Sequence, residues 1–264
     1  MDLDLTGKHA LITGSTKGIG LATAMELAAM GASVVLNGRT QGPVDAAVGA
    51  VASKVSGAQV TGVACDLGTK AGCDAMIAAV PDLDILVNNL GIYGPKPLED
   101  ISDGDWQEMF DVNIMSGVRL SRHYLPKLLA KPWGRVVFIS SESGIFIPAE
   151  MIHYGFSKAA QLAIARGMAE LTAGTGVTVN SVLPGPTWVE MQQVRLGERA
   201  EQQGTTVDAL MAQTFAERRP SSLLKRYATS EEVANLIAYV CSPASAATNG
   251  AALRVDGGIV KTPF

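Results

Sequence analysis

Short runs of apolar and β-branched residues alternate along this chain with longer, alanine-rich stretches. The short runs predict strands at residues 9–12, 33–36, 60–64, 85–87, 135–139, 177–182 and near 252–255. The longer stretches predict helices, for example at residues 21–30, 44–55 and 159–172. Because strands and helices alternate, the pattern predicts βαβ units and a parallel sheet covered by helices on both faces.

One segment departs from this alternation. Residues 188–227 are polar and charged, and the segment is longer than an ordinary connection between a strand and a helix. We expect it to close over bound substrate as a lid, with Gly197 and Gly204 as hinges, within a single domain that spans residues 1–264. Near its end, Arg218 and Arg219 are interpreted as solvated cations, with an anionic substrate group such as an acyl carrier's phosphate as the alternative.

Composition and charge argue against several classes of protein. The net charge is −4 with no basic run, which argues against nucleic acid as a partner. No stretch reaches the ~20 apolar residues that a membrane-spanning helix needs, and the N-terminus lacks a secretory signal. Three cysteines without metal-ligand spacing favour a reduced, cytoplasmic protein with no metal site.

A glycine-rich loop follows the first predicted strand and opens a helix. Glycines there allow a tight turn and close approach to a pyrophosphate, which the free N–H groups of the helix can bind. The spacing is G-x-x-x-G-x-G, and it predicts a dinucleotide site. The contacting residues are Gly14, Ser15, Thr16, Lys17, Gly18, Ile19 and Gly20.

The end of the second predicted strand indicates which dinucleotide binds. An acid there binds the 2′-hydroxyl of the adenosine ribose, whereas an arginine binds a 2′-phosphate. Asn37 and Gly38 are not acidic, Arg39 follows them, and Lys17 can reach the same phosphate. The sequence therefore favours NADP(H) over NAD(H), with two solvated surface cations as the alternative interpretation.

Tyr154 and Lys158 have the spacing i, i+4, which places both on one face of a helix. A phenol can donate or accept a proton, and a neighbouring ammonium favours its anionic form. This pair is typical of acid–base chemistry at a carbonyl or an alcohol.

With these motifs, the chain closely resembles the short-chain dehydrogenase/reductase family over nearly its whole length. The loop of residues 13–20 matches the family's cofactor loop. Further matches are Asp66 with Leu67, Asn88-Asn89-Leu90-Gly91 (with Leu90 in place of the usual alanine), Asn113, Ser141, Tyr154 with Lys158, Pro184-Gly185-Pro186-Thr187 and Val255-Asp256-Gly257-Gly258.

The resemblance implies a doubly wound Rossmann fold with a single parallel seven-stranded sheet, and hydride transfer between nicotinamide and a substrate carbon. In reduction, Tyr154 would donate a proton to the carbonyl oxygen and Ser141 would stabilise the developing charge. Lys158 would lower the pKa of Tyr154 and hold the ribose hydroxyls. Asn113 would anchor a water that links Lys158 to solvent. The motif positions Asp66, Leu67, Asn89, Gly91, Pro184, Gly185 and Thr187 are expected to contact the cofactor.

The expected substrate pocket is mostly apolar, which favours a hydrophobic or mixed small-molecule carbonyl or alcohol. Its candidates are Tyr93, Ile145, Phe146, Met151, Trp188, Val189 and Met191. His153 is adjacent to Tyr154 and therefore points elsewhere on the helix. Glu142 is interpreted as a solvated or capping acid, with a substrate contact as the alternative.

Three other functions stay open beside an NADP(H)-dependent carbonyl reductase or alcohol dehydrogenase. One is reduction of 3-oxoacyl thioesters, as in many relatives of this size. The second is a dinucleotide-binding regulator without catalysis, and the third an epimerase or dehydratase that retains its nucleotide. By analogy with the family, we expect a homotetramer built through the helices that carry Asn113 and Tyr154, with a homodimer as the alternative.

Overall fold

A computed structural model describes residues 1–263 of the chain. Its strands are β1 (His9–Ile12), β2 (Ser33–Gly38), β3 (Val60–Ala64), β4 (Ile85–Asn88), β5 (Gly134–Ile139), β6 (Val177–Pro184), β7 (Thr187–Trp188), β8 (Ala228–Thr229) and β9 (Ala252–Val255). Seven of them form one parallel sheet in the order β3-β2-β1-β4-β5-β6-β9, while β7 and β8 pair separately. The predicted parallel seven-stranded sheet is confirmed. Every residue of β5 and β6 is buried, as expected for strands covered on both faces.

Helices cover both faces of the sheet. They are α1 (Gly18–Ala29), α2 (Gln41–Lys54), α3 (Lys70–Ala79), α4 (Asp103–Met109), α5 (Ser116–Leu129), α6 (Ile152–Glu170), α7 (Glu190–Gln203), α8 (Val207–Gln213) and α9 (Ser230–Cys241). Side chains of α1, α2 and α9 form an apolar core with one face of the sheet. Side chains of α3, α5 and α6 form a second core with the other face. The strand order reverses between β1 and β4, where ligands bind in folds of this kind.

The segment after β6 carries its own small apolar cluster. α7, α8, a π-helical turn at Thr214–Arg218 and β8 follow one another there, packed around Leu196, Leu210, Phe215 and Tyr227. The Gly257 carbonyl accepts hydrogen bonds from the N–H groups of Leu223 and Leu224, so the C-terminal region anchors this segment. Of the predicted hinges, Gly204 ends α7 with a positive φ, whereas Gly197 lies within that helix.

A second π-helical turn, Phe110–Met115, joins α4 to α5 and carries Asn113. Such turns interrupt the regular hydrogen-bond pattern of a helix and are frequent at functional sites. Within the described part of the chain, no helix has both the length and the apolar character to cross a membrane.

Candidate active site

A cavity of about 380 Å³ opens at the carboxyl ends of β4, β5 and β6, beneath α7. Among the sequence-predicted residues, it is lined by Ile19, Asn89, Gly91, Tyr93, Ser141, Met151, Tyr154, Lys158, Pro184, Gly185, Thr187 and Val189. The cavity volume suits a small ligand together with part of a cofactor.

Tyr154 and Lys158 lie one turn apart on α6, as their spacing predicts. The Lys158 Nζ is 5.6 Å from the centroid of the Tyr154 ring. It donates hydrogen bonds to the Ile139 carbonyl at 2.9 Å and to the Gln161 Oε1 at 3.1 Å. Burial lowers the pKa of Lys158 to about 7. The ammonium is therefore close to losing its proton at neutral pH.

Burial also raises the pKa of the Tyr154 phenol. The Ser141 hydroxyl opposes this rise through a hydrogen bond, whereas the nearby Glu142 and Tyr93 add to it. Tyr154 is thus protonated at neutral pH, which is the form that can donate a proton to a carbonyl oxygen.

Ser141 begins the short turn after β5, where its Oγ accepts a hydrogen bond from the Ser143 N–H at 3.1 Å. The same hydroxyl donates to the Glu142 Oε2 at 2.5 Å. Glu142 is only 5 % exposed, and burial raises its pKa. The expectation of a solvated or capping acid therefore does not describe this residue, because the turn directs its carboxyl inward beside Ser141.

Asn113 is fully buried in the π-helical turn. Its side chain exchanges two hydrogen bonds with the backbone of Ile92, at 2.8 and 2.9 Å, and donates to the Ser157 Oγ at 2.9 Å. Its main-chain carbonyl accepts from the Gln161 Nε2 at 2.7 Å. Gln161 therefore links the Asn113 carbonyl directly to Lys158, a connection that the sequence did not predict.

The glycine loop has the geometry of a phosphate cradle. Gly14 and Gly18 have φ values of +59° and +56°, which favour glycine. A Cβ on Gly20 would lie 2.5 Å from the Asn89 Nδ2, so a side chain has no room there. Asn89 holds the loop by donating to the carbonyls of Thr13 and Gly14, both at 2.9 Å.

Lys17 at the N-cap makes no side-chain hydrogen bond to the first N–H groups of α1. These groups and the cradle fit a dinucleotide pyrophosphate. Ser15 and Thr16 support the cradle instead of facing outward. The Ser15 Oγ donates to the Ile12 carbonyl at 2.7 Å, and a Cβ on Gly38 would lie 2.5 Å from the Thr16 Cγ2.

Arg39 and Lys17 are both exposed. They lie on two neighbouring segments, because Thr16, next to Lys17, is close to Gly38, next to Arg39. The Asn37 side chain makes its hydrogen bonds within the protein. Its Oδ1 accepts from the Gly14 N–H, and its Nδ2 donates to the carbonyls of Val63 and Cys65. The two cations therefore remain the predicted contacts of a ribose 2′-phosphate.

Two further predicted contacts follow β3. Asp66 is exposed and accepts a hydrogen bond from the Gly68 N–H at 3.0 Å. Leu67 is 1 % exposed and packs in the apolar core, so its side chain is not available to a ligand. Leu90, which replaces the family's usual alanine, packs directly over Gly14. A Cβ on Gly14 would lie 3.1 Å from the Leu90 Cα, and the loop accommodates the leucine side chain.

The motif at residues 184–187 is held by the C-terminal signature. A Cβ on Gly185 would lie 2.6 Å from the Asp256 carbonyl oxygen, so the two backbones are in close contact. Asp256 in turn accepts hydrogen bonds from the N–H groups of Gly258 and Val260. The Thr187 Oγ1 donates to the Gly185 carbonyl at 2.9 Å. This arrangement fixes the wall of the cavity that faces Tyr154.

Four of the seven predicted pocket residues do not line the cavity. Ile145, Phe146 and Met191 are at least 40 % exposed, and Trp188 packs against Tyr227 with ring centroids 5.4 Å apart. His153 is buried and meets the edge of Trp106 at 6.1 Å, outside the cavity. The apolar lining is therefore smaller than the sequence suggested.

One face of α7 contributes the residues that sequence reasoning missed. Gln192, Arg195, Leu196 and Arg199 line the cavity, at the spacing i, i+3, i+4, i+7 of a helix face. Arg218, Arg219 and Tyr227 complete this wall. The periodicity of polar residues in α7 is the signal that would have found them.

Glu190, the first residue of α7, reaches the glycine loop. Its Oε1 accepts a hydrogen bond from the Gly18 N–H at 3.4 Å, and Val189 packs against Gly18. A carboxylate therefore faces the N–H groups that fit a pyrophosphate.

Comparison with known proteins identifies the family of this chain. The family model of short chain dehydrogenases matches residues 8–200. The uncharacterised oxidoreductase YvaG of Bacillus subtilis is 46 % identical over 264 residues, covering 100 % of both chains. The D-beta-hydroxybutyrate dehydrogenase of Cupriavidus necator is 34 % identical over 260 residues, covering 97 % of this chain and 99 % of the relative.

A solved structure is also similar throughout its length. The L-sorbose reductase of Gluconobacter frateurii, complexed with NADPH and L-sorbose, superposes with a TM-score of 0.93 at 30 % identity, covering 99 % of this chain and 100 % of that one. The chain therefore belongs to the short-chain dehydrogenase/reductase family and is an oxidoreductase of that family.

Proposed function

We propose that the chain is an NADP(H)-dependent reductase or dehydrogenase acting on a carbonyl or the corresponding secondary alcohol. The observation that carries the proposal is the convergence of a protonated Tyr154, the Ser141 hydroxyl and the Lys158 ammonium at one end of the cavity. A dinucleotide bound in the glycine cradle supplies hydride chemistry. All other steps fall to side chains of this chain.

Tyr154 donates the proton that neutralises the substrate oxygen during reduction. Ser141 positions that oxygen and stabilises its developing charge, provided that its hydroxyl turns from Glu142 toward the substrate. Lys158 holds the ribose and replaces the proton of Tyr154. Gln161 and the Asn113 carbonyl hold Lys158 in position.

The preference for NADP(H) rests on Arg39 and Lys17 at the adenosine end, and the absence of an acid at Asn37 and Gly38 supports it. The NADPH complex of the L-sorbose reductase is consistent with this preference.

The test is oxidation of NADPH and of NADH, followed by the absorbance of the reduced nicotinamide, with ketones, keto sugars, oxo acids and 3-oxoacyl thioesters. Turnover with a ketone or oxo acid, faster with NADPH, is the expected result. Turnover restricted to thioesters would establish the alternative of a 3-oxoacyl-thioester reductase. NADPH binding without turnover of any compound would instead favour the non-catalytic regulator.

A further inference from the structure

Four arginines of the segment between β6 and α9 line the cavity. Arg195 and Arg199 lie on α7, and Arg218 and Arg219 lie at the end of the π-helical turn at Thr214–Arg218. The only carboxylates in the cavity lining, within the described chain, are Glu142 and Glu150. The cavity wall that faces the catalytic groups is therefore strongly cationic.

Most of these arginines are not neutralised. The Arg218 Nη2 lies 3.8 Å from the Glu150 Oε1, in a loose and largely exposed pair. Over residues 1–263, no carboxylate lies within 4 Å of Arg195, Arg199 or Arg219. Arg199 and Arg219 are also only partly exposed. Partly buried guanidinium groups without an anion are unfavourable, unless a ligand supplies the charge.

Glu142 does not cancel this charge. It interacts electrostatically with Arg219, but its Oε2 accepts the hydrogen bond of Ser141. Burial raises the pKa of its carboxyl, and one carboxylate cannot neutralise four guanidinium groups. The lining thus retains an excess of positive charge.

One of these cations, Arg195, is connected to the reacting groups through Tyr93. The Tyr93 ring is 5.9 Å from the Tyr154 ring, and Arg195 hydrogen-bonds the Tyr93 side chain. A carrier-bound thioester places its phosphate at the far end of the pantetheine arm, whereas these arginines line the same cavity as Tyr154. A small anionic substrate fits the arrangement better.

We propose that the substrate is a small oxo acid or phosphorylated ketone whose anionic group is bound by Arg199 and Arg219, with Arg195 and Arg218 alongside. The planar guanidinium groups match a carboxylate or a phosphate, each able to offer two donors to two oxygens. This inference rests on the proposed function, since it assigns the substrate class of the same site.

The first test compares pairs of compounds that differ in one anionic group. L-Sorbose and 5-keto-D-gluconate differ only in a CH2OH or a carboxylate, and acetoacetate has its methyl ester as the neutral partner. D-Fructose and D-fructose 6-phosphate test a phosphate. We expect kcat/KM to be about tenfold or more higher for the anionic member of at least one pair, and the pair identifies carboxylate or phosphate. Equal or better turnover of the neutral members, including neutral 3-oxoacyl thioesters, would overturn the inference.

Variants then assign the binding groups. Arg199→Gln and Arg219→Gln should raise KM for the anionic compound about tenfold or more, with a smaller effect on its neutral partner. Arg166→Gln, on the outer face of α6 and paired there with Glu170, is the matched control and should change neither value. An equal loss for both members of the pair would contradict a role in anion binding.

Calorimetric titration of the same anions into the complex of wild-type protein with NADP⁺ separates this inference from the proposed function. Binding that weakens in Arg199→Gln and Arg219→Gln but not in Arg166→Gln supports the anion site, even if no compound is turned over. In that case the proposed function fails and the anion site stands. No difference in affinity between the anionic and neutral members would overturn the inference, even if neutral ketones are reduced.

Discussion

At the scale of one residue, the buried Lys158 makes the stability of the folded protein depend on pH. The ammonium is buried, and its pKa falls from 10.5 to about 7. Below pH 7 both the folded and the unfolded chain carry the proton, and the folded state bears the full desolvation cost. Between pH 7 and 10.5 the unfolded chain binds more protons than the folded one, so the folded state gains stability as the pH rises.

We therefore expect the free energy of unfolding of the wild type, relative to Lys158→Met, to increase by up to about 1.4 kcal/mol per pH unit over this range. Chemical denaturation at several pH values measures it, with the exposed Lys54→Met as control. A pH-independent difference would show that Lys158 keeps its proton in the folded state.

Arg39 carries the second prediction at this scale. Replacing it by aspartate removes a donor to the 2′-phosphate and introduces a charge that repels it. We expect Arg39→Asp to shift the ratio of the two dissociation constants toward NAD(H) by about tenfold or more. Fluorescence titration with NADPH and NADH measures the ratio, and each cofactor serves as the control for the other. An unchanged ratio would exclude the contact with the 2′-phosphate.

Single residues also show where sequence reasoning ends. The spacing of Tyr154 and Lys158 was sufficient to place both on one helix face, because that spacing is a local property of α6. Gln161 gave no signal, since its role depends on the Asn113 carbonyl, which a π-helical turn in a distant segment presents. The burial of Glu142 depends on how the turn after β5 packs, and no local pattern encodes this, so the sequence predicts a solvated or capping acid there.

At the scale of elements, α7 couples the cavity to the glycine loop. Its first residue, Glu190, bonds the Gly18 N–H of α1, while its next turns present Arg195 and Arg199 to the cavity. The carboxylate accepts a hydrogen bond from one N–H at the N-terminus of α1, where negative charge is favoured. A bound pyrophosphate would compete for this N–H and would be repelled by the acid.

We therefore expect Glu190→Gln to bind NADPH about two- to fivefold more tightly, given the ~0.3–1 kcal/mol that a charge near a helix end contributes. Glu198→Gln, exposed on the same helix, is the control for a general change in charge. Equilibrium titration of the three proteins decides the point. Weaker binding in Glu190→Gln would mean that the acid supports the cofactor site.

The strands and most helices were predictable because β-branched runs and alanine-rich stretches reflect local propensity and burial on two faces. The segment at residues 188–227 was recognised as unusual from its polarity. Its cavity-facing residues were not found, because the orientation of α7 over the sheet is set by tertiary contacts. Two of these tertiary contacts are the close approach of Gly185 to the Asp256 backbone and the hydrogen bond from the Leu223 N–H to the Gly257 carbonyl.

At the scale of the whole molecule, α6 offers a surface for the tetramer that the family resemblance predicts. Ala163 and Gly167 are exposed on this helix, and Phe156 is 44 % exposed. Small residues allow two helices to approach closely. We expect a particle of four times the 27.5 kDa chain mass, which Ala163→Glu splits into smaller species.

Sedimentation equilibrium measures the mass of the wild type and the variant. Ala212→Glu, an exposed alanine on α8, is the matched control and should leave the mass unchanged. A wild-type particle with the mass of one chain, or an Ala163→Glu variant that keeps the full mass, would contradict an interface through α6.

The central claim for the molecule is that Tyr154 is the proton donor of a hydride-transfer enzyme. The most direct measurement is the turnover and the NADPH affinity of Tyr154→Phe beside the wild type, with Tyr239→Phe on α9 as the matched control. We predict that Tyr154→Phe lowers turnover ~10²-fold or more and leaves NADPH affinity unchanged, because only the general acid is lost. Turnover close to wild type in Tyr154→Phe would contradict the claim.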